Sequence, residues 1–277
     1  SRVTQRVPRG NDKIVLKYNS LKNFLNKITG RFKTSGFWIR LLCGVCFALA
    51  FPPINFYPLV YVGVVLLIKE ITECKTYGEV FSKTYAIFFW FNLVAVSWIS
   101  LSGFRDNAER FLIIAGLLTL LAHPIFFSLP TLAFYKVYRS LRRFRFKYLY
   151  LLSFPFIWVA FEYLHTLSQF SFPWLVFGNT QTYNLTKIQF IEYTGVYGLS
   201  FWICTISIML YYFVVRQRIA KWQNFTTKTY LLIIFIIVTY LAPDAYTFIM
   251  NSPAKYSNAF TDGEINVGVI QPNSDPW

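Results

Sequence analysis

Charge is what this chain has least of. Only 14% of its 277 residues are Asp, Glu, Lys or Arg, against roughly 25% in a soluble domain. Acids are scarcer still, 12 against 27 bases, for a net charge of +15. A surface facing water needs more charge than this, which excludes a soluble globular class. Histidine occurs twice and cysteine four times, at Cys43, Cys46, Cys74 and Cys204. These form neither a disulfide framework nor a paired metal motif. Cys43-x-x-Cys46 falls inside an apolar run and reads as membrane packing. There is no internal repeat. No cleavable signal peptide precedes the first apolar segment, since residues 1–36 are too long and too polar for one. No metal and no cofactor are expected.

What the chain has in abundance is apolar side chain: 55% hydrophobic and 21% aromatic residues. A bilayer core of about 30 Å needs roughly 20 apolar residues per helix. Seven stretches read as spans, at about 37–51, 57–72, 84–103, 111–135, 148–166, 197–215 and 229–249. The first two are short and joined only by Phe51-Pro52-Pro53-Ile54-Asn55-Phe56, a tight Pro-rich turn. The fourth contains Pro124 and Pro130, which predicts a kink.

The bases then fall into place. Ten lie in the N-terminal segment through Arg40; Lys69, Lys75 and Lys83 follow the second stretch. Lys136, Arg139, Arg142, Arg143, Arg145 and Lys147 follow the fourth, with no acid among them, and Arg216, Arg218, Lys221 and Lys228 follow the sixth. Together they are 23 of the 27 bases; only Arg105, Arg110, Lys187 and Lys255 fall in the alternate segments. Short cytoplasmic loops hold the Lys/Arg excess. The N-terminus is therefore expected inside and the end of the chain outside, and the basic excess reports topology rather than nucleic acid. Within 14–33, Leu21, Phe24, Leu25, Ile28 and Phe32 recur at helical spacing among lysines and Arg31, the pattern of a basic amphipathic helix on an anionic leaflet; a basic tail without fixed structure is the alternative.

Polar groups at membrane depth are costly. Glu162 and His165 share one face of the fifth stretch, at i and i+3. Counted from Lys147, Glu162 lies about 22 Å along the helix, near the outer interface. It reads either as an orienting group for an outer-leaflet site or as a locally paired interfacial carboxylate. Asp244 reads as a helix-end residue. His123 is expected to pack neutral, since a proton relay needs a partner that the sequence does not reveal. The outer segment 167–196 is aromatic and polar without period, and Ser171-Phe172-Pro173-Trp174-Leu175-Val176-Phe177-Gly178-Asn179-Thr180-Gln181 predicts a structured loop at headgroup level, beyond a mere aromatic belt. Gly195 and Gly198 permit close backbone approach just before the sixth stretch. Residues 264–273 read as a buried strand ending in a turn, the opening of a second domain.

The ordered set of motifs resembles one family, the apolipoprotein N-acyltransferases of bacterial inner membranes. The resemblance runs over about 51–275. It rests on Phe51-Pro52-Pro53, Tyr57-Pro58-Leu59 and Trp98, then on Trp158-x-x-x-Glu162-x-Leu164 and Phe172-Pro173-Trp174-x-x-x-Gly178-x-x-Gln181. Thr194-Gly195-Val196-Tyr197-Gly198 and Val267-x-Val269-Ile270-Gln271-Pro272-Asn273 complete it.

It implies an all-α integral membrane bundle of about seven transmembrane helices, followed by the start of a truncated α/β nitrilase-like domain. The domains are then a cytoplasmic basic segment (1–36), a transmembrane domain (37–249), and a linker with the first nitrilase-like strand (250–277). The implied partners are a phospholipid acyl donor, a diacylglyceryl-lipoprotein acceptor and the bilayer. In such a reaction an acyl chain passes to a cysteine thiolate and then to the lipoprotein α-amine, with a Glu base and a Lys beside the oxyanion. That Glu–Lys–Cys set belongs after the 265–271 strand, so no catalytic residue is expected in this chain. Trp174, Phe172, Pro173, Gly178, Gln181, Glu162, Trp158 and Trp98 are the expected lipid-binding residues, and Pro52, Pro53, Gly195, Tyr197 and Gly198 the expected structural ones. A catalytically inactive membrane scaffold and a small multi-helix transporter are the alternatives.

Overall fold

The structure, a computed structural model, describes residues 35–105, 109–143, 148–219 and 225–250. The expected amphipathic segment 14–33 and the strand within 250–277 lie outside the described residues. Those described are helical, with no strand among them.

The helices are α1 (Ser35–Ala50), α2 (Pro58–Thr72), α3 (Tyr77–Ala95), α4 (Ser97–Ser102), α5 (Phe111–Leu141), α6 (Ser153–Thr166), α7 (Leu185–Ile188), α8 (Ile191–Ile219) and α9 (Thr227–Met250). Three of them are long and apolar enough to cross a membrane, over Phe111–Leu141, Ile191–Val215 and Thr227–Met250. The others, apart from the short α7 in the outer segment, coincide with the expected apolar stretches but are shorter or more polar; α1, α2 and α6 have 16, 15 and 14 residues.

Three boundaries differ most from the sequence reading, the fourth stretch running on to Leu141 rather than 135. The third stretch begins seven residues earlier, because Thr76 caps α3 by accepting from the Glu79 amide while Glu79 accepts from the Lys75 amide. That polar first turn is invisible to hydropathy. The sixth begins at Ile191, and Gly195 (φ 63°) interrupts it.

Helices α1, α2 and α3 pack as a unit. Pro58 opens α2 at a position where its missing N–H is harmless. The turn before it closes through Phe56 N–H to Leu49 O, 2.8 Å, with Asn55 at positive φ. At Gly44 the backbone of α1 crosses α3 so closely that a Cβ would stand 2.5 Å from Ile87 O. Helix α5 runs unbroken through Pro124 and Pro130 and is stitched to α3 by Thr131 Oγ1 to Thr84 Oγ1, 3.2 Å. The core is aromatic: Trp158, Phe47, Phe88, Phe91, Phe134, Phe154 and Phe177 are all fully buried.

The bundle has two chemically distinct ends. At one, Tyr135 and Tyr138 donate to the carbonyls of Cys74 and Thr72, and buried Glu70 is ringed by Lys83 (3.6 Å), Arg40 (3.8 Å) and Lys69 (3.9 Å). At the other, Lys187 is buried against Asp244 and lies 4.0 Å from the Tyr240 ring centroid. Thr247 Oγ1 donates to Thr186 O, and Trp202 Nε1 to Thr239 O, 2.9 Å. Asp244 is thus a cross-helix ion partner, not a helix-end residue. Helix α9 is held by these contacts and, at the basic end, by Gln217 Nε2 to Thr229 Oγ1.

Candidate functional site

The segment after α6 is built as two 3₁₀ turns, Pro173–Leu175 and Phe177–Gln181, followed by α7. Its anchor is Glu162. Oε1 accepts from the Trp158 indole (2.9 Å) and from the Phe177 amide (2.8 Å), so one carboxylate oxygen ties α6 to the first N–H of the second turn. The Phe177 ring completes the joint, stacked on Trp158 (4.5 Å, 15°) and on Phe47 (5.3 Å, 19°). One residue later the chain touches α8: Gly178 N–H donates to Ser200 Oγ, 2.8 Å. A Cβ on Gly178 would stand 2.5 Å from Val196 O, a contact no side chain sustains.

This pinned segment carries Trp174 outward. Its indole stacks on Trp98 (5.7 Å, 19°) and meets Phe172 edge-on (5.4 Å). Below them opens a cleft of about 270 Å³ lined by Phe51, Pro52, Ala95, Trp98, Phe172, Trp174, Leu175, Asn179 and Thr182. The Asn179 amide donates to the Pro173 and Trp174 carbonyls (2.9 and 3.1 Å), and Thr182 Oγ1 donates to Asn179 O, 2.6 Å. The polar rim therefore spends its donors on holding the loop, leaving an aromatic interior.

The residues expected at the site separate into two groups. Trp98, Trp174, Phe172 and Pro52 meet at the cleft, with Pro173 starting the turn that presents them and Pro53 exposed beside Pro52. Glu162 and Trp158 do not line it. Glu162 is 3% exposed, which corrects the expectation of a carboxylate within reach of headgroups. Helical rise gives its depth, but not the loop that folds over it. Gln181 is also buried, its Oε1 accepting from Asn184 Nδ2. Gly195 is a break in α8 with open space about its Cα, not a close approach; Gly198 sits under the Thr194 side chain, and the Tyr197 hydroxyl pairs with Thr166 Oγ1, 2.8 Å.

His123 has partners after all. Asn92 Nδ2 donates to Phe88 O, so its Oδ1 accepts from His123 Nδ1, 3.1 Å. His123 Nε2 is then the acceptor facing His165 Nε2 at 3.2 Å. This arrangement joins α3, α5 and α6. Sequence reasoning missed Asn92, Phe47 and Ser200; Asn92 and Phe47 lie in apolar runs, and Ser200, two residues past the Thr194–Gly198 motif, had no visible partner. Among the described residues no group of three His, Cys, Asp or Glu could hold a metal ion.

A family model described as the apolipoprotein N-acyltransferase N-terminal domain matches residues 43–209, which include the second half of α1, the cleft and most of α8. The chain belongs to the apolipoprotein N-acyltransferase family. It is similar to the apolipoprotein N-acyltransferase of Chlorobaculum tepidum, 26% identical over 249 residues, covering 89% of this chain and 43% of that protein. The enzyme of Geobacter metallireducens is 27% identical over 242 residues (83% and 44%), and that of Coxiella burnetii 24% over 238 (85% and 45%). The chain spans less than half the length of these relatives. In this family frame the Pro-rich turn, Trp98, and the 172–181 loop are parts of one aromatic end of the N-terminal domain.

Proposed function

We propose that this chain is the membrane half of an apolipoprotein N-acyltransferase and that its aromatic cleft holds an acyl chain during transfer from phospholipid to a diacylglyceryl cysteine. The observation carrying this reading is the Trp98–Trp174 stack over an apolar cleft, at the end of the bundle opposite the basic residues. Flat aromatic faces accept a hydrocarbon chain without a polar penalty, and their edges tolerate a wet layer. Positioning of this kind accelerates transfer although these residues make no bond.

The topology belongs to the same proposal. All seven apolar stretches cross the inner membrane, α3 and α4 together forming the third span. The end carrying Arg40, Lys69, Lys83 and Arg142 faces the cytoplasm, as the placement of 23 of 27 bases supports. Residues 1–36 are the cytoplasmic segment, 37–249 the transmembrane domain, and 250–277 lead into a nitrilase-like domain. Thioester formation on a cysteine and its aminolysis by the lipoprotein α-amine are assigned to that domain.

A phospholipid bearing a diazirine near the end of one acyl chain tests the cleft. After irradiation of the purified protein in lipid, labelled peptides are expected to contain Trp98 and residues 172–182. Labelling confined to other lipid-facing helices would sink the assignment.

A further inference from the structure

A second cleft lies at the basic end, between α2 and α8. It measures about 250 Å³ and is lined by Val65, Lys69, Thr72, Glu73, Tyr211, Val214 and Val215. Counted along α2, Lys69 lies about 17 Å from the start of that helix beside the aromatic cleft, so the two are separate. Its lower wall is three valines; its mouth is polar.

The hydroxyls at the mouth are committed to the protein. Thr72 Oγ1 donates to Lys69 O, 3.1 Å, so the Tyr211 hydroxyl donates to Thr72, 2.8 Å. They make the wall rigid and leave no proton for a ligand. Lys69 is different. Its Nζ touches Glu73 (3.0 Å) and, more distantly, Glu70 (3.9 Å). Glu70 already has Arg40 and Lys83 nearer, at 3.8 and 3.6 Å, so the buried carboxylate does not depend on Lys69. The Glu73 pair is an i,i+4 contact with Glu73 about half exposed, a type of pair worth only ~0–1 kcal/mol. A further cation stands close by: Arg142 lies over the Tyr138 ring at 5.7 Å, and the Tyr138 hydroxyl donates to Thr72 O. At this end Arg40, Lys69, Lys75, Lys83, Arg139 and Arg142 outnumber three acids, Glu70, Glu73 and Glu79.

A positive mouth above an apolar slot on membrane helices matches an anionic phospholipid. We propose that one such lipid seats here, with an acyl chain against Val65, Val214 and Val215 and its phosphate on Lys69, taking the place of Glu73. A phosphate held this way gains a charge-assisted contact in a partly dry setting. A zwitterionic headgroup would instead use Glu73 for its ammonium. The site does not touch the acyl-transfer cleft, and its failure would leave that proposal standing.

The test is native mass spectrometry of the purified protein titrated with phosphatidylglycerol, phosphatidylethanolamine and phosphatidylcholine of matched chains. Phosphatidylglycerol is expected to bind about fivefold more tightly than phosphatidylcholine, the equivalent of ~1 kcal/mol for one Lys–headgroup contact. Lys69→Gln should erase that preference, Glu73→Gln should strengthen it, and Val214→Trp should weaken both lipids by filling the slot. Equal affinity for the two lipids in the unaltered protein overturns the proposal, as does an undiminished preference in Lys69→Gln. A Glu73→Gln protein that loses phosphatidylethanolamine while phosphatidylglycerol is unchanged also overturns it, in favour of a zwitterionic occupant. Were Lys69→Gln to misfold, the opposite shifts expected of Glu73→Gln and Val214→Trp still decide.

Discussion

The indoles of Trp98 and Trp174 lie nearly parallel, 19° apart in plane, although one comes from α4 and the other from a loop after α6. Each ring is roughly half exposed, so the stack is a surface element with a free face. Offset aromatic pairs add about 0.5–1.5 kcal/mol beyond their buried area. Loss of either ring therefore unsettles the other while leaving the bundle core intact.

In an enzyme carrying this membrane half, Trp174→Ala is expected to slow acyl transfer to a lipopeptide at least about tenfold, ~1.4 kcal/mol of barrier. Trp98→Ala should do the same, and the double variant should fall well short of the product of the two. Turnover is normalised to folded protein. A change below about twofold in Trp174→Ala would remove the stack from the site.

Glu162 is expected to matter through stability. Glu162→Ala leaves the Trp158 N–H and the Phe177 N–H without their acceptor, a loss of about 2 kcal/mol or more. Glu162→Gln keeps a carbonyl oxygen there and should lose distinctly less. Thermal unfolding in detergent separates them, and equal midpoints for the two variants would contradict the anchoring role.

Gly178→Ala pushes a methyl to 2.5 Å from the Val196 carbonyl. Backbone cannot rotate away as a side chain can, so the second 3₁₀ turn must lift from α8, at about 1–3 kcal/mol. A lower unfolding midpoint is expected, together with slowed transfer in the complete enzyme. An unaltered midpoint would mean that this contact opens freely.

Orientation is open to chemical labelling. With the native cysteines replaced, a cysteine at exposed Ser140 should be shielded from an impermeant maleimide in spheroplasts, and one at exposed Gln189 should react. The reverse pattern would invert the topology.

The four native thiols are expected to stay unacylated when the purified chain meets phospholipid. All are buried; Cys43 donates to Gly63 O and Cys74 to Glu70 O. Burial also pushes the Cys74 thiol up from its ordinary range, so thiolate is scarce at neutral pH. A hydroxylamine-labile acyl adduct on any of them, seen by mass spectrometry, would refute this.

The helix positions were legible in the sequence because hydrophobic runs and Pro-rich turns are local signals. The cleft's aromatic members were legible too, as a dense motif beside Trp98. What the sequence withheld was pairing across distance. Glu162 looked interfacial because a lone carboxylate in an apolar stretch has no visible acceptor duty, and only the fold brings Phe177 N–H to it. His123 looked isolated because Asn92 and His165 sit on other helices. Asp244 looked like a terminal residue because Lys187 reaches it from a separate segment. The close approach expected at Gly195 is made at Gly178 for the same reason: composition marks where backbone freedom exists, and tertiary contact decides where it is used.

Helix α9 has a consequence for how this protein tolerates change. It is the least buried of the three long helices, and most of its outward face is aliphatic, with Ile234, Ile237, Val238 and Leu241 exposed. Its attachment is concentrated at Thr229 and at Tyr240, Asp244 and Thr247. Substitutions among the outward aliphatic positions should therefore drift freely between species, constrained only to remain greasy. The attachment positions should vary in concert with Gln217, Lys187 and Thr186 or not at all.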